Sequence, residues 1–188
     1  LTLVTKADFP LEDFDLDSSA RKSDSDFYAE AVEDATISRT NNKHAREDDI
    51  LDKPDNKFVS LNKNGEIIVD VGESKAIVNG SGDDFALFLR NNATDDADNA
   101  DEQYQVSVSQ DGDTFKKVSG DGSFDISRTK LGWVRFIKIE DESVNTLASA
   151  PGVDIDAVCL LNIGVPVTNN VAVTSGTLTN RTQRTVYI

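Results

Sequence analysis

The chain has 188 residues, with 34 acidic against 19 basic side chains and a net charge of −15. That balance excludes a nucleic-acid binder, which needs a basic face, and argues against docking on anionic lipid surfaces. A single cysteine, Cys159, excludes an internal disulfide, and no apolar run reaches the ~18 residues of a membrane-inserted span.

Residues 1–36 read as an acidic N-terminal extension. Asp13, Asp15 and Asp17 alternate with Phe14 and Leu16, the period of a short strand with one carboxylate face. Ser18–Asp26 is polar and turn-like, and Phe27–Ala35 predicts one or two short helical turns. No methionine occurs, even at position 1, as expected of a chain that has lost a signal peptide or been cut from a longer protein.

From Thr36 onward β-signals dominate. Candidate strands are Thr36–Thr40, Phe58–Leu61, Glu66–Val71, Asp84–Leu89, Gln103–Ser109, Thr114–Val118, Ser123–Ile126, Trp133–Glu140 and Asp154–Asn162. Gln103–Ser109 alternates best, with Tyr104, Val106 and Val108 facing one way. Asn64-Gly65 and Asp111-Gly112 are hairpin dipeptides, and Gly120-Asp121-Gly122 marks another turn. Many short strands at this spacing predict an all-β fold, an antiparallel β-sandwich or jelly roll, rather than a parallel α/β sheet. The sandwich is expected over 37–163, with a long acidic loop at Asn91–Glu102 and a strand-like C-terminal extension over 164–188.

Few residues carry catalytic chemistry. His44 is the only histidine, so a three-histidine zinc site is impossible and no triad signature accompanies it. Among 34 acids some carboxylate pair is unavoidable, so a pair is no sign of a glycosidase. Gly80-Ser81-Gly82 lacks the lysine and helix of a phosphate loop. The expectation is a protein that is not an enzyme. Asp13-x-Asp15-x-Asp17 with Asp24 imitates an EF-hand, but Ser18 stands where that loop needs glycine and the bidentate glutamate is missing. Asp96, Asp98 and Asp101 fail the same comparison. Cys159, in Ala157-Val158-Cys159-Leu160-Leu161, reads as a small buried hydrophobe. Trp133 and Tyr104 read as core, which leaves few aromatics for a sugar platform. The sequons at Asn79, Asn92 and Asn180 are of the kind that chance supplies in an Asn- and Thr-rich chain.

Four stretches recur in a telling order: Leu51-Asp52-Lys53-Pro54-Asp55, Gly80-Ser81-Gly82-Asp83-Asp84-Phe85, Ser109-Gln110-Asp111-Gly112-Asp113-Thr114-Phe115 and Pro151-Gly152-Val153-Asp154-Ile155-Asp156-Ala157-Val158. Together, from about residue 45 to 162, they resemble the secreted discoidin-like (galactose-binding-like) jelly-roll domains of bacterial and archaeal cell-surface proteins. The resemblance implies a non-catalytic β-sandwich outside the cell or on its surface. It also implies a Ca2+ site, with Asp52 and Asp55 supplying loop oxygens and Asp154 or Asp156 completing the shell. Two apart on a regular strand, Asp154 and Asp156 are expected to share a face. The glutamate that often follows the Asp-Phe strand in that family is replaced here by Leu89-Arg90. Two functional readings follow. One is a calcium-binding building block of a cell-surface layer, filament or adhesin, self-associating by strand addition through its terminal segments. The other is a calcium-stabilised carbohydrate-binding module of a larger surface protein, with a glycan as partner.

Overall fold

The computed structural model describes residues 14–15, 27–38, 42–90, 103–143 and 152–166. The acidic triplet with Asp24, the loop at 91–102, the sequons at Asn92 and Asn180 and the strand-like stretches beyond 166 lie outside the described residues, apart from the backbone of Phe14 and Asp15.

Thirteen strands are described in chain order: β1 (Phe14–Asp15), β2 (Ala31–Thr36), β3 (Val59–Ser60), β4 (Glu66–Asp70), β5 (Ala76–Val78), β6 (Phe85–Leu89), β7 (Tyr104–Ser109), β8 (Lys116–Val118), β9 (Ser123–Phe124), β10 (Trp133–Val134), β11 (Phe136–Asp141), β12 (Asp154–Leu160) and β13 (Ile163–Pro166). All pairings among them are antiparallel. One sheet runs β2-β4-β11-β7-β8 and faces a second, β3-β12-β6-β9; a smaller sheet, β1-β13-β5-β10, closes one side. This is the antiparallel β-sandwich that the sequence and its discoidin-like resemblance implied.

The core follows from strand periodicity. Ile67 and Val69 of β4, Val106 and Val108 of β7 and Ile137 and Ile139 of β11 point inward from the first sheet. They meet Phe85 and Leu87 of β6, Ile155, Val158 and Leu160 of β12 and Phe124 of β9. Phe85 and Phe124 stack with centroids 4.9 Å apart. Trp133 is buried as expected, but in a satellite cluster with Ala76 and Val78 under the small sheet.

Three expectations change. Past Phe27, which ends a 3-10 turn, the segment to Ala35 is not helical: residues 31–36 form β2, an edge strand on β4. Val32 and Ala35 pack partly against the core while Glu33 and Asp34 stay exposed, a pattern that a strand with a bulge between Val32 and Asp34 accommodates. The sandwich therefore reaches back into the segment expected to be an extension. Asn64-Gly65 is not a hairpin turn, because β3 and β4 belong to different sheets. It is the tight corner between them, where Gly65 donates to the Asn62 carbonyl at 2.9 Å and a Cβ on Gly65 would sit 1.8 Å from the Leu61 oxygen. Asp111-Gly112 does join the β7–β8 hairpin, with Gly112 at φ +83°. At the small sheet's edge, β1 pairs with β13 within one chain.

Candidate functional site

The loop at 51–57 is irregular, with Asp52 and Asn56 both at positive φ. The discoidin-like resemblance implied calcium here, with Asp52, Asp55 and Asp154 or Asp156 as ligands. Asp156 reaches the loop: its two carboxylate oxygens accept the backbone N–H groups of Asp55 at 3.1 Å and Asn56 at 3.0 Å. Asp154 is buried and accepts the Ser60 hydroxyl of β3. Asp55 is exposed and bound to Lys57, whose ammonium and backbone N–H hold its carboxyl below the usual range. Asp52 is exposed. The four carboxylates do not gather into one shell. Among the described residues, no group of three or more His, Cys, Asp and Glu side chains is arranged to hold a metal ion.

The reason lies in β12. Its core residues are Ile155, then Val158 and Leu160, with Val153 buried just before the strand. The step of three between Ile155 and Val158 breaks the period of two, and the pairing with β6 shifts register there. Asp156 sits in that irregularity. It is released from the alternation that would have put it beside Asp154, and its carboxylate closes the loop directly. The same shift turns Cys159 away from the core. It is half-buried, and burial pushes its thiol pKa up, which disfavours the thiolate.

Other acids act in the same way. Asp84, fully buried at the start of β6, accepts the backbone N–H groups of Gly80 (2.8 Å) and Ile126 (2.9 Å) and the Asn162 side-chain amide (2.8 Å). Asp141 accepts from Asn64, Val153 and Ser143. These carboxylates fasten the loops of the sandwich by charge-assisted hydrogen bonds.

Beside the 51–57 loop, His44 stacks on Phe58 with centroids 4.1 Å apart, and the Arg90 guanidinium lies 4.2 Å from the same ring. Arg90 also donates to the Asn56 carbonyl at 3.3 Å. Arg90 therefore braces the loop with a cation. Burial, and secondarily Arg90, lowers the His44 pKa below 6.5. Between that lowered value and 6.5 the unfolded chain binds more protons than the folded one. The His44 contribution is thus complete above pH 6.5 and is lost as the pH falls through the folded value. As the chain's only histidine, His44 gives one imidazole signal by NMR; its midpoint is expected below 6.5, and a midpoint at or above 6.5 would contradict the stack.

Across the bulge of β12 lies an open cleft of about 390 Å³, lined by Phe27, Tyr28, Lys53, Cys159, Leu160 and Leu161. Phe27 is 37% exposed and Leu161 49%. The cleft is firmly built. Tyr28 bridges Cys159, Ala29 is buried and donates to the Val158 carbonyl at 3.3 Å, and the buried Lys75 ammonium donates to the Tyr28 carbonyl at 2.8 Å. Sequence reasoning missed it because Phe27 and Tyr28 lie in a segment read as a helical extension. An aromatic pair just before β2 was the available signal.

No protein-family model matches the chain, and no curated protein matches it. Among solved structures it is similar to CBM32 of AlyQ in complex with 4,5-unsaturated mannuronic acid, at 15% identity and a TM-score of 0.44, with 72% of this chain and 96% of that chain covered. It is also similar to the C-terminal domain of a chitobiase from Bacteroides fragilis, at 16% identity and a TM-score of 0.46, with 78% of this chain and 99% of that one covered.

Proposed function

We propose that this chain is a non-catalytic, extracellular β-sandwich module that binds a short saccharide in the cleft between Phe27 and Leu161. The cleft itself carries the reading: two adjacent aromatic side chains and a lysine around a shallow, open depression on a rigid sheet. Aromatic faces pack against the C–H surface of a sugar ring, while polar groups at the rim take its hydroxyls. At about 390 Å³ the space is at the small end of ligand sites, which run from about 300 to 1,000 Å³. Lys53 favours a carboxylate-bearing ring, modestly, because it is exposed. The net charge of −15 opposes long polyanions at low salt. No catalytic set accompanies the cleft among the described residues: Cys159 has a raised pKa, and His44 is stacked elsewhere on Phe58. No described helix is long and apolar enough to cross a membrane.

The reading is tested by affinity electrophoresis against immobilised neutral and uronate polysaccharides. Phe27→Ala is expected to weaken retention about 3–10-fold, the effect of losing one aromatic contact. Retention unchanged in that variant, or no retention of the intact chain on any polysaccharide, would refute the assignment.

A further inference from the structure

The two edges of the five-stranded sheet carry opposite charge. At one edge β2 exposes Glu33 and Asp34. A one-turn 3-10 helix, Glu47–Ile50, lies beside it and begins with Glu47, Asp48 and Asp49. At the other edge β8 exposes Lys116 and Lys117. A second 3-10 helix, Ile126–Thr129, lies beside that strand and contributes Arg128, with Lys130 just past its end, both exposed. Lys116 reaches across to the Thr129 carbonyl at 3.0 Å, joining helix and strand into one basic rim. These four cations share the rim with one acid of the same helix, Asp125 at its N-cap beside Arg128, in a chain with 34 acids and 19 bases. Each edge strand has a hydrogen-bonded neighbour on one side only among the described strands.

Charge on an edge strand is usually protective, because two like edges repel. Here like edges still repel, but unlike edges attract. Four antiparallel steps separate β2 from β8, so the two edge strands run parallel to each other. A second copy translated across the sheet brings its β8 alongside the first copy's β2 without inverting either molecule. We infer that the basic β8 rim of one copy docks on the acidic β2 rim of the next, giving a head-to-tail, heterologous contact between sandwiches. Such a contact uses two different patches, so it propagates unless rotation closes it into a ring. It places successive saccharide clefts side by side, the arrangement in which weak sites gain avidity. It also differs from the association expected of the terminal segments, because β1 and β13 pair with each other inside one chain.

The test needs no ligand: light scattering of the full chain at about 0.01 M and 1 M salt, where charges are screened beyond about 30 Å and 3 Å respectively. Lys116→Glu/Lys117→Glu makes both edges acidic, and Glu33→Lys/Asp34→Lys makes both basic. All four positions are exposed, but Lys116→Glu also loses its bond to the Thr129 carbonyl, so folding is checked by a cooperative melting transition rather than by an unchanged midpoint. The intact chain is expected to exceed monomer mass at low salt and fall to monomer at high salt. Each double variant alone is expected to be monomeric at low salt, and an equimolar mixture of the two to regain the higher mass. Three results would overturn the inference: an intact chain that is monomeric at low salt, single variants that associate as the intact chain does, or a mixture that stays monomeric. Saccharide binding by the monomer is independent of all three.

Discussion

Replacing Asp84 by alanine is expected to lower stability by about 3–5 kcal/mol. The carboxylate is fully buried and joins three separate pieces of chain, through Gly80, Ile126 and Asn162. Its removal strands the buried Ile126 amide and loosens the part-buried Gly80 and Asn162 donors, and each buried orphan costs roughly 1–3 kcal/mol. The penalties do not add in full, because the loops relax. For a domain of this size the loss corresponds to a melting temperature about 10 °C lower or more. Asp84→Asn is expected to fall between the two, since its amide nitrogen must face at least one of the same donors. Urea denaturation of the three proteins measures this directly. A variant within about 1 kcal/mol of the parent would mean that the Asp84 network does not hold the loops.

Asp156→Ala is the second large effect, about 1–3 kcal/mol. It frees the backbone amides of Asp55 and Asn56 and releases the 51–57 loop from β12. Asp55→Ala, which loses an exposed pair with Lys57, is expected to cost no more than about 1 kcal/mol. The contrast separates two roles for Asp156. If its carboxylate holds the amides, the melting temperature drops equally in calcium and in chelator. If it serves a calcium ion, the variant matches the parent in chelator and falls below it only when calcium is added, because an ion bound to the folded state alone raises stability by mass action. The hydrogen bonds predict the first result.

Much of the sandwich was legible in the sequence because half-buried strands announce themselves by alternation. Tyr104, Val106 and Val108 alternate inward, and Val106 and Val108 are core. What escaped were places where alternation is broken or too brief. Ala76–Val78 is a three-residue strand, buried throughout, with no polar partner positions to reveal it. Phe27–Ala35 mixes acids and small residues on an edge strand, where one bulge scrambles the period. The site was harder still. Asp154 and Asp156 look like a pair, yet the three-residue step from Ile155 to Val158 separates them and assigns them different partners. That step was visible in the sequence, and it also turns Cys159 outward into the cleft. Residue type alone could not say that the acids of the chain's motifs fasten its loops, since an aspartate's oxygens serve a cation or a backbone amide equally well.

Whether the Phe27–Leu161 cleft holds a saccharide is read out by titrating the isotopically labelled full chain with a uronic-acid disaccharide and following backbone amide shifts residue by residue. Saturable shifts are expected at Phe27, Tyr28, Lys53 and Cys159 to Leu161, with the β8 rim unmoved. Shifts centred on His44, Phe58 and Arg90 would place the ligand elsewhere, and a spectrum that does not move for this sugar or for its neutral counterpart would contradict the account.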